Sequence, residues 1–196
     1  MSLRVAPLTG DALGAALPDL ARLRITVFRD WPYLYDGTLS YESGYIARFA
    51  ASPGAVIVAA YDGDRIVGAA TASPMVGHAD EFATPFRQRG YDIAHIFYFG
   101  ESVLLADYRG RGIGHAFFDQ REAHARAQGG FTHATFCGVV RPDDHPLKPQ
   151  SYVPLDAFWT KRGYRKLDGV VGHYSWRDIG EPEDTRKPMQ FWMKAL

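Results

Sequence analysis

Residues Ile93 to Leu105, IAHIFYFGESVLL, carry the strongest strand signal in the chain, and a glycine-rich segment follows them without a gap. Aromatic and β-branched side chains favour a pleated, half-buried surface. The run is longer than an ordinary strand, which predicts a bulge or kink near Gly100. After Ala106-Asp107-Tyr108-Arg109-Gly110-Arg111-Gly112-Ile113-Gly114 the period changes. Ile113, Ala116 and Phe117 then fall on one face of a helix running from about Gly112 to Gln128, which Gly129-Gly130 ends. The unit is strand, glycine turn, helix.

That unit suits a phosphate. Gly110, Gly112 and Gly114 let backbone N–H groups approach an anion closely, and the helix start adds unpaired donors and a favourable dipole. Arg109 and Arg111 add positive charge. A P-loop requires a terminal Gly-Lys-Ser/Thr, which is missing here. A dinucleotide fingerprint requires a third glycine where His115, Ala116 and Phe117 stand. The competing reading is a tight glycine turn that holds nothing.

Around this unit, strand and helix signals alternate. Arg4–Leu8 reads as a strand. Leu13, Leu17, Leu20, Leu23 and Val27 mark a first helix between Asp11 and about Arg29, with Pro18 as an alternative start. An aromatic loop, Asp30 to Gly37, leads to a second helix capped by Ser40 and stopped by Pro53-Gly54. Ala55–Tyr61 and Ile66–Ala72 form a hairpin over Asp62-Gly63-Asp64. Residues 73–92 lack a clear period and read as an excursion from the core, partly helical around Glu81 to Arg89. Phe131–Val140 is a strand, Arg141–Val153 a Pro-rich loop, and Pro154–Arg162 a short helix with Gly163 after it. Val170–Arg177 and Met189–Lys194 close the chain as strands.

Lys plus Arg and Asp plus Glu number 22 each, so net charge gives no reason to expect nucleic acid or an anionic membrane surface. Hydrophobic residues at 46% are enough for a buried core over the 196 residues, read as one domain. The single Cys137 cannot form an internal disulfide, the start MSLRVAPLTGD lacks a signal-peptide core, and no apolar run reaches membrane-span length. A cytoplasmic protein is the expectation, and a homodimer is compatible with it. The seven histidines show no paired metal spacing; His78, Asp80, Glu81, Asp143, Asp144 and His145 read as solvated loop residues.

Tyr108-Arg109-Gly110-Arg111-Gly112-Ile113-Gly114 resembles the Arg/Gln-x-x-Gly-x-Gly/Ala signature of the GNAT superfamily of N-acetyltransferases. The flanking strand and helix, the strand from Phe131, and Phe158-Trp159-Thr160-Lys161-Arg162-Gly163-Tyr164 follow in that family's order. The resemblance implies an α/β (α+β) fold. Its mixed, largely antiparallel sheet has about 6–7 strands and a splayed parallel central pair, flanked by about four helices. It implies acetyl-CoA as cosubstrate and no metal. Backbone groups of Val103, Leu104 and Leu105 would pair with pantetheine, and N–H groups from Arg109 to Gly114 would hold the pyrophosphate.

The resemblance further implies direct attack of an amine on the thioester in a ternary complex, with the acceptor a small molecule or a peptide N-terminus. Glu101 is the first candidate base, and Tyr98 the fallback. Side chains alternate along a strand, so Glu101 faces away from the family's base positions unless a bulge at Gly100 reverses it. Its competing role is a carboxylate paired within the fold. Where many family members carry a tyrosine acid this chain has Trp159, whose indole has no titrating proton but can pack against pantetheine. Tyr152 is the alternative acid. Tyr33, Tyr35 and Asp36 stand where the family builds its acceptor pocket, where they suit a cationic amine or form a plain hydrophobic lid. Cys137 reads as a small buried hydrophobe rather than a nucleophile. The competing functions are a non-catalytic CoA-binding or regulatory module and a protein-lysine acetyltransferase.

Overall fold

The computed structural model of the chain describes residues 3–78 and 80–196. In chain order it comprises β1 (Leu3–Leu8), α1 (Gly10–Phe28), α2 (Leu39–Ala50), β2 (Val56–Asp62), β3 (Arg65–Pro74), α3 (Asp80–Arg87), β4 (Ile96–Leu104), α4 (Ile113–Gln128), β5 (His133–Val139), α5 (Asp156–Lys161), β6 (Arg165–Trp176) and β7 (Thr185–Ala195). The strands form one sheet in the order β1-β2-β3-β4-β5-β7-β6. Every neighbouring pair is antiparallel except β4 and β5, which run parallel. The expected mixed sheet is therefore present, with seven strands.

The sheet separates two apolar layers. On one face Phe97 and Phe99 of β4 pack with Ile113, Phe117 and Phe118 of α4 and with Phe136 of β5. On the other, α1 and α2 bury Leu20, Leu23, Ile46 and Phe49 against Ile57, Ala69 and Val103. Beside them, α3 covers Tyr98, Cys137 and Phe191. This is the architecture expected when each helix has one apolar stripe to bury.

The structure departs from the sequence expectations where packing outweighs local signals. Helix α1 runs through Pro18 rather than starting there. Gly14, the residue whose carbonyl loses its bond to a proline nitrogen, and Pro18 itself are both exposed, so the defect faces solvent. Helix α2 starts at Leu39 after Thr38, placing Ser40 within the first turn rather than at the cap. The partial helix expected in 73–92 is present as α3, and this segment contributes to the core. Helix α3 forms despite Pro85, and Phe82 and Phe86 with Met75 are buried. His78 is only partly accessible, not solvated, and Asp80 pairs with Arg87 at 2.9 Å. The side chain of Glu81 lies outside the described residues.

Candidate active site

Strands β4 and β5 pair over only three positions: Ile96 with His133, Phe97 with Ala134 and Tyr98 with Thr135. Beyond them the strands part. Gly100, Glu101 and Ser102 are partly or fully accessible although β4 lies mid-sheet, because β5 has left its side. The resulting slot opens toward the C-terminal ends of both strands, where the glycine turn begins.

The turn is built for backbone donors. Leu105 and the single tight turn Ala106–Tyr108 lead into Gly110 and Gly112, whose φ values are +74° and +81°. Gly112 is the N-cap of α4 and has no side chain to occupy the first-turn donors. A Cβ at either glycine would meet open space, so the surface in front of the turn is clear. Arg109 and Arg111 are exposed beside it, with Arg111 lying 5.3 Å from the Tyr108 ring. The Tyr108 hydroxyl donates to Asp62 at 2.9 Å and ties the turn to the β2–β3 hairpin. Ile113 is buried and anchors the helix start, whereas Gly114 faces Phe158 at an ordinary 3.5 Å. Leu105 donates its N–H to Val67 on β3, so on the open side the nearest free-edge backbone belongs to Leu104. Val103 is buried beneath α1 and α2.

The expected irregularity in β4 is a bulge at the slot. Ala72 pairs with Phe99 and Ala70 with Ser102, so Gly100 and Glu101 both oppose Thr71. The glycine is required there, because a Cβ at Gly100 would lie 2.6 Å from Thr71 Oγ1. The same hydroxyl oxygen accepts from the Glu101 N–H at 3.1 Å. The extra residue inverts the alternation. Phe99 faces α4, yet Glu101 turns to α1 and α2, on the same side as Tyr98.

On that side Glu101 enters a network of buried charges. The Arg24 guanidinium of α1 bonds the Glu101 carboxylate and, through Nε, the carboxylate of Glu42 on α2. Glu42 is fully buried and Arg24 is 9% exposed. The Tyr45 hydroxyl donates to Glu101 at 3.4 Å, and its ring lies 4.4 Å from the Arg24 guanidinium. The Glu101 carboxylate holds the Tyr45 phenol well above its ordinary range, with burial adding to the effect. Two carboxylates share one guanidinium. Arg24 and Glu42 were not among the sequence candidates. Each is a charged residue inside an apolar helical stripe, Arg24 one turn after Leu20 and Glu42 one turn before Ile46, and that misplacement is their signal.

At the apex of the slot the Tyr98 hydroxyl lies 3.3 Å from Cys137 Sγ. Burial, followed by the neighbouring Cys137, pushes the Tyr98 phenol well above 10, so it holds its proton at neutral pH. Burial also pushes the Cys137 thiol up to about 12, unlike an activated nucleophile. His78 bonds Ser73 Oγ at 2.7 Å and packs on the Tyr98 ring, and burial pulls it down to about 4.

The remaining candidates fall together less uniformly. Tyr33 is packed between Phe28 and Trp176, and its phenol is raised by burial and then by Cys137, Glu101 and Tyr152. Tyr35 is raised by burial and then by Glu42. Asp36 is committed to Arg177 at 2.7 Å and approaches Arg29 at 3.6 Å, so its charge is already answered within the loop. Tyr152 packs edge-on against Trp31. Trp159 lies over Gly138 on the β5 side of the slot, against Phe136 and Trp192. Among the described residues no group of three His, Cys, Asp or Glu side chains is placed to hold a metal ion.

A model of the acetyltransferase (GNAT) family matches residues 20–164. The chain belongs to that family. Its fold is shared with ribosomal-protein-alanine N-acetyltransferase from Brucella melitensis, at TM-score 0.60 and 15% identity over 100% of both chains. It is shared also with yncA of Salmonella typhimurium, solved with its cofactor acetyl-CoA, at TM-score 0.64 and 8% identity over 100% of this chain and 95% of that one. An aminoglycoside 6'-N-acetyltransferase complexed with coenzyme A aligns at TM-score 0.57 and 17% identity, over 100% and 97%. No curated protein matches the sequence at a significant level. Family and fold together assign acetyl transfer in general terms. No described helix is long and apolar enough to cross a membrane.

Proposed function

We propose that the chain transfers an acetyl group from acetyl-CoA to a primary amine of a small molecule or a peptide N-terminus, by direct attack in a ternary complex. The observation that carries this reading is the bulge. It brings a carboxylate, Glu101, to the α1–α2 face of a strand whose end leads into an open, glycine-lined helix N-terminus. The turn from Arg109 to Gly114 would hold the pyrophosphate through backbone N–H groups, and the Leu104 edge would pair with pantetheine. Trp159 would flank the pantetheine arm. Acetyl-CoA supplies the activated acyl group.

Glu101 would accept the proton of the attacking amine, and the two carboxylates that share Arg24 would favour a cationic acceptor. Tyr33 and Tyr35 would form the aromatic wall. Asp36 would serve through its arginine partners rather than as a free anion. A high phenol pKa makes Tyr98 a hydrogen-bond donor rather than a base. Tyr152 is the remaining candidate acid.

One observation favours a second reading. Glu101 is engaged by a buried arginine, as in a CoA-binding module with no turnover. Release of free thiol from acetyl-CoA against a panel of amines separates the two. Turnover with a small amine or an N-terminal peptide supports the enzyme. Micromolar CoA binding without thiol release on any amine supports the module, and turnover confined to lysine side chains supports a protein-lysine acetyltransferase.

A further inference from the structure

Arg121 of α4 is 1% exposed and takes no part in the turn or in the Glu101 carboxylate's ion pair. All of its bonds go to carbonyls or a hydroxyl. Nε donates to the Phe117 carbonyl at 3.1 Å, Nη1 to the carbonyls of Thr71 at 3.3 Å and Glu101 at 3.2 Å, and Nη2 to Ser102 Oγ at 3.0 Å. Phe99 and Phe118 flank the guanidinium at 4.4 and 4.9 Å. Burying a cation this deeply costs several kcal/mol unless its donors are fully used. Helix–sheet packing alone would be served as well by a leucine.

The location of the three distant acceptors explains the residue. Thr71 is the single residue opposite the bulge, and Glu101 and Ser102 are the two residues that follow Gly100. A bulge takes carbonyls out of the ladder and leaves them needing donors. A guanidinium offers five donors in one rigid plane, and no other side chain can reach both strands and the serine together. Arg24 holds the Glu101 side chain from one face of the sheet, while Arg121 holds the Glu101 backbone from the other.

We infer that Arg121 is a positioning residue that pins the β4 bulge at Glu101 and so fixes the face on which that carboxylate is presented. Without it the extra residue is free to move one place along β4. Gly100 alone then opposes Thr71, and Glu101 turns toward α4 with the alternation of Phe99. The effect on turnover rests on the reading of Glu101 as the base; the effect on its direction does not.

The test compares the intact chain with Arg121→Met, which removes the donors, and Arg121→Lys, which keeps the charge without the fork. The direct readout is the nuclear Overhauser contact between the Glu101 side chain and the Tyr45 ring. It is expected in the wild type, lost in Arg121→Met and weakened in Arg121→Lys. In thiol-release assays with acetyl-CoA and the amine that the wild type uses best, kcat should fall about 30-fold or more while KM for acetyl-CoA stays within about threefold. A folded Arg121→Met chain that keeps the contact overturns the inference. If the wild type releases no thiol with any amine, the functional reading fails, and the contact alone decides the role of Arg121. If Arg121→Met does not fold, Arg121→Lys decides by the same contact. If neither folds, Arg121 is a folding determinant and the positioning role is overturned.

Discussion

On the α4 side of β4 the candidate site is made of backbone: a free strand edge, two glycines with positive φ and the bare start of a helix. On the α1–α2 side it is made of buried charge: Arg24 between Glu42 and Glu101, with the Tyr45 ring over Arg24. The first construction depends on residues close together in sequence and on the absence of side chains. The second depends on side chains 18 and 77 residues apart meeting in the interior. A site that grips a constant ligand is served by the first, and a site that selects among acceptors by the second. The two should therefore fail separately.

The largest separation is expected from Glu101→Gln. Turnover should fall by about 10²–10⁴, the usual contribution of a general base, while calorimetry finds CoA affinity unchanged. Equal losses in both would join the two sides into one. Arg24→Met leaves Glu42 and Glu101 buried without their cation. Chemical denaturation should show a loss of about 3–5 kcal/mol, the typical effect of removing one partner of a buried ion pair.

Acid should weaken the fold through His78. Its value of about 4 in the folded chain lies below the ordinary 6.5, so the unfolded chain binds more protons between those two values. Its contribution, on the order of 3 kcal/mol, is complete above pH 6.5 and drains away as pH falls toward 4. His78→Phe should flatten that part of the stability profile; an unchanged slope counts against a buried neutral imidazole.

Effects at the glycine turn should be smaller. Arg109→Glu should weaken CoA about 10- to 100-fold, the loss of one charge-assisted contact, with no change in melting temperature. Unchanged affinity would place the phosphates elsewhere. Gly112→Ala forces a side chain into left-handed backbone and should cost about 1–2 kcal/mol of stability, with a modest loss of CoA affinity.

The same contrast explains what could be read in advance. The glycine turn, the irregularity near Gly100 and the succession of strands and helices along the chain follow from local residue types and spacing, whereas the arrangement of the sheet came from the family resemblance. The direction of Glu101 required knowing whether one residue was extra, and only the pairing partner Thr71 settles that. Arg24, Glu42 and Arg121 interrupt apolar stripes, a visible oddity whose partners are set by tertiary packing. Residues 73–92 looked like a detour because Pro85 and two glycines break the period, yet Phe82 and Phe86 had a core to enter.

The bulge also works like a shift of reading frame within β4. Upstream of Gly100 the odd-numbered residues Phe97 and Phe99 belong to the α4 layer; downstream, odd-numbered Glu101 and Val103 belong to the opposite one. Removing Gly100 would place Glu101 directly after Phe99 and opposite Thr71, restoring a regular ladder with the carboxylate still on the α1–α2 face, whereas moving the extra residue past Glu101 would turn it toward α4. Lengthening the exposed turn at Pro142–Asp144 changes the face of no strand residue. The position of the extra residue within β4, rather than its mere presence, thus sets the face that Glu101 takes.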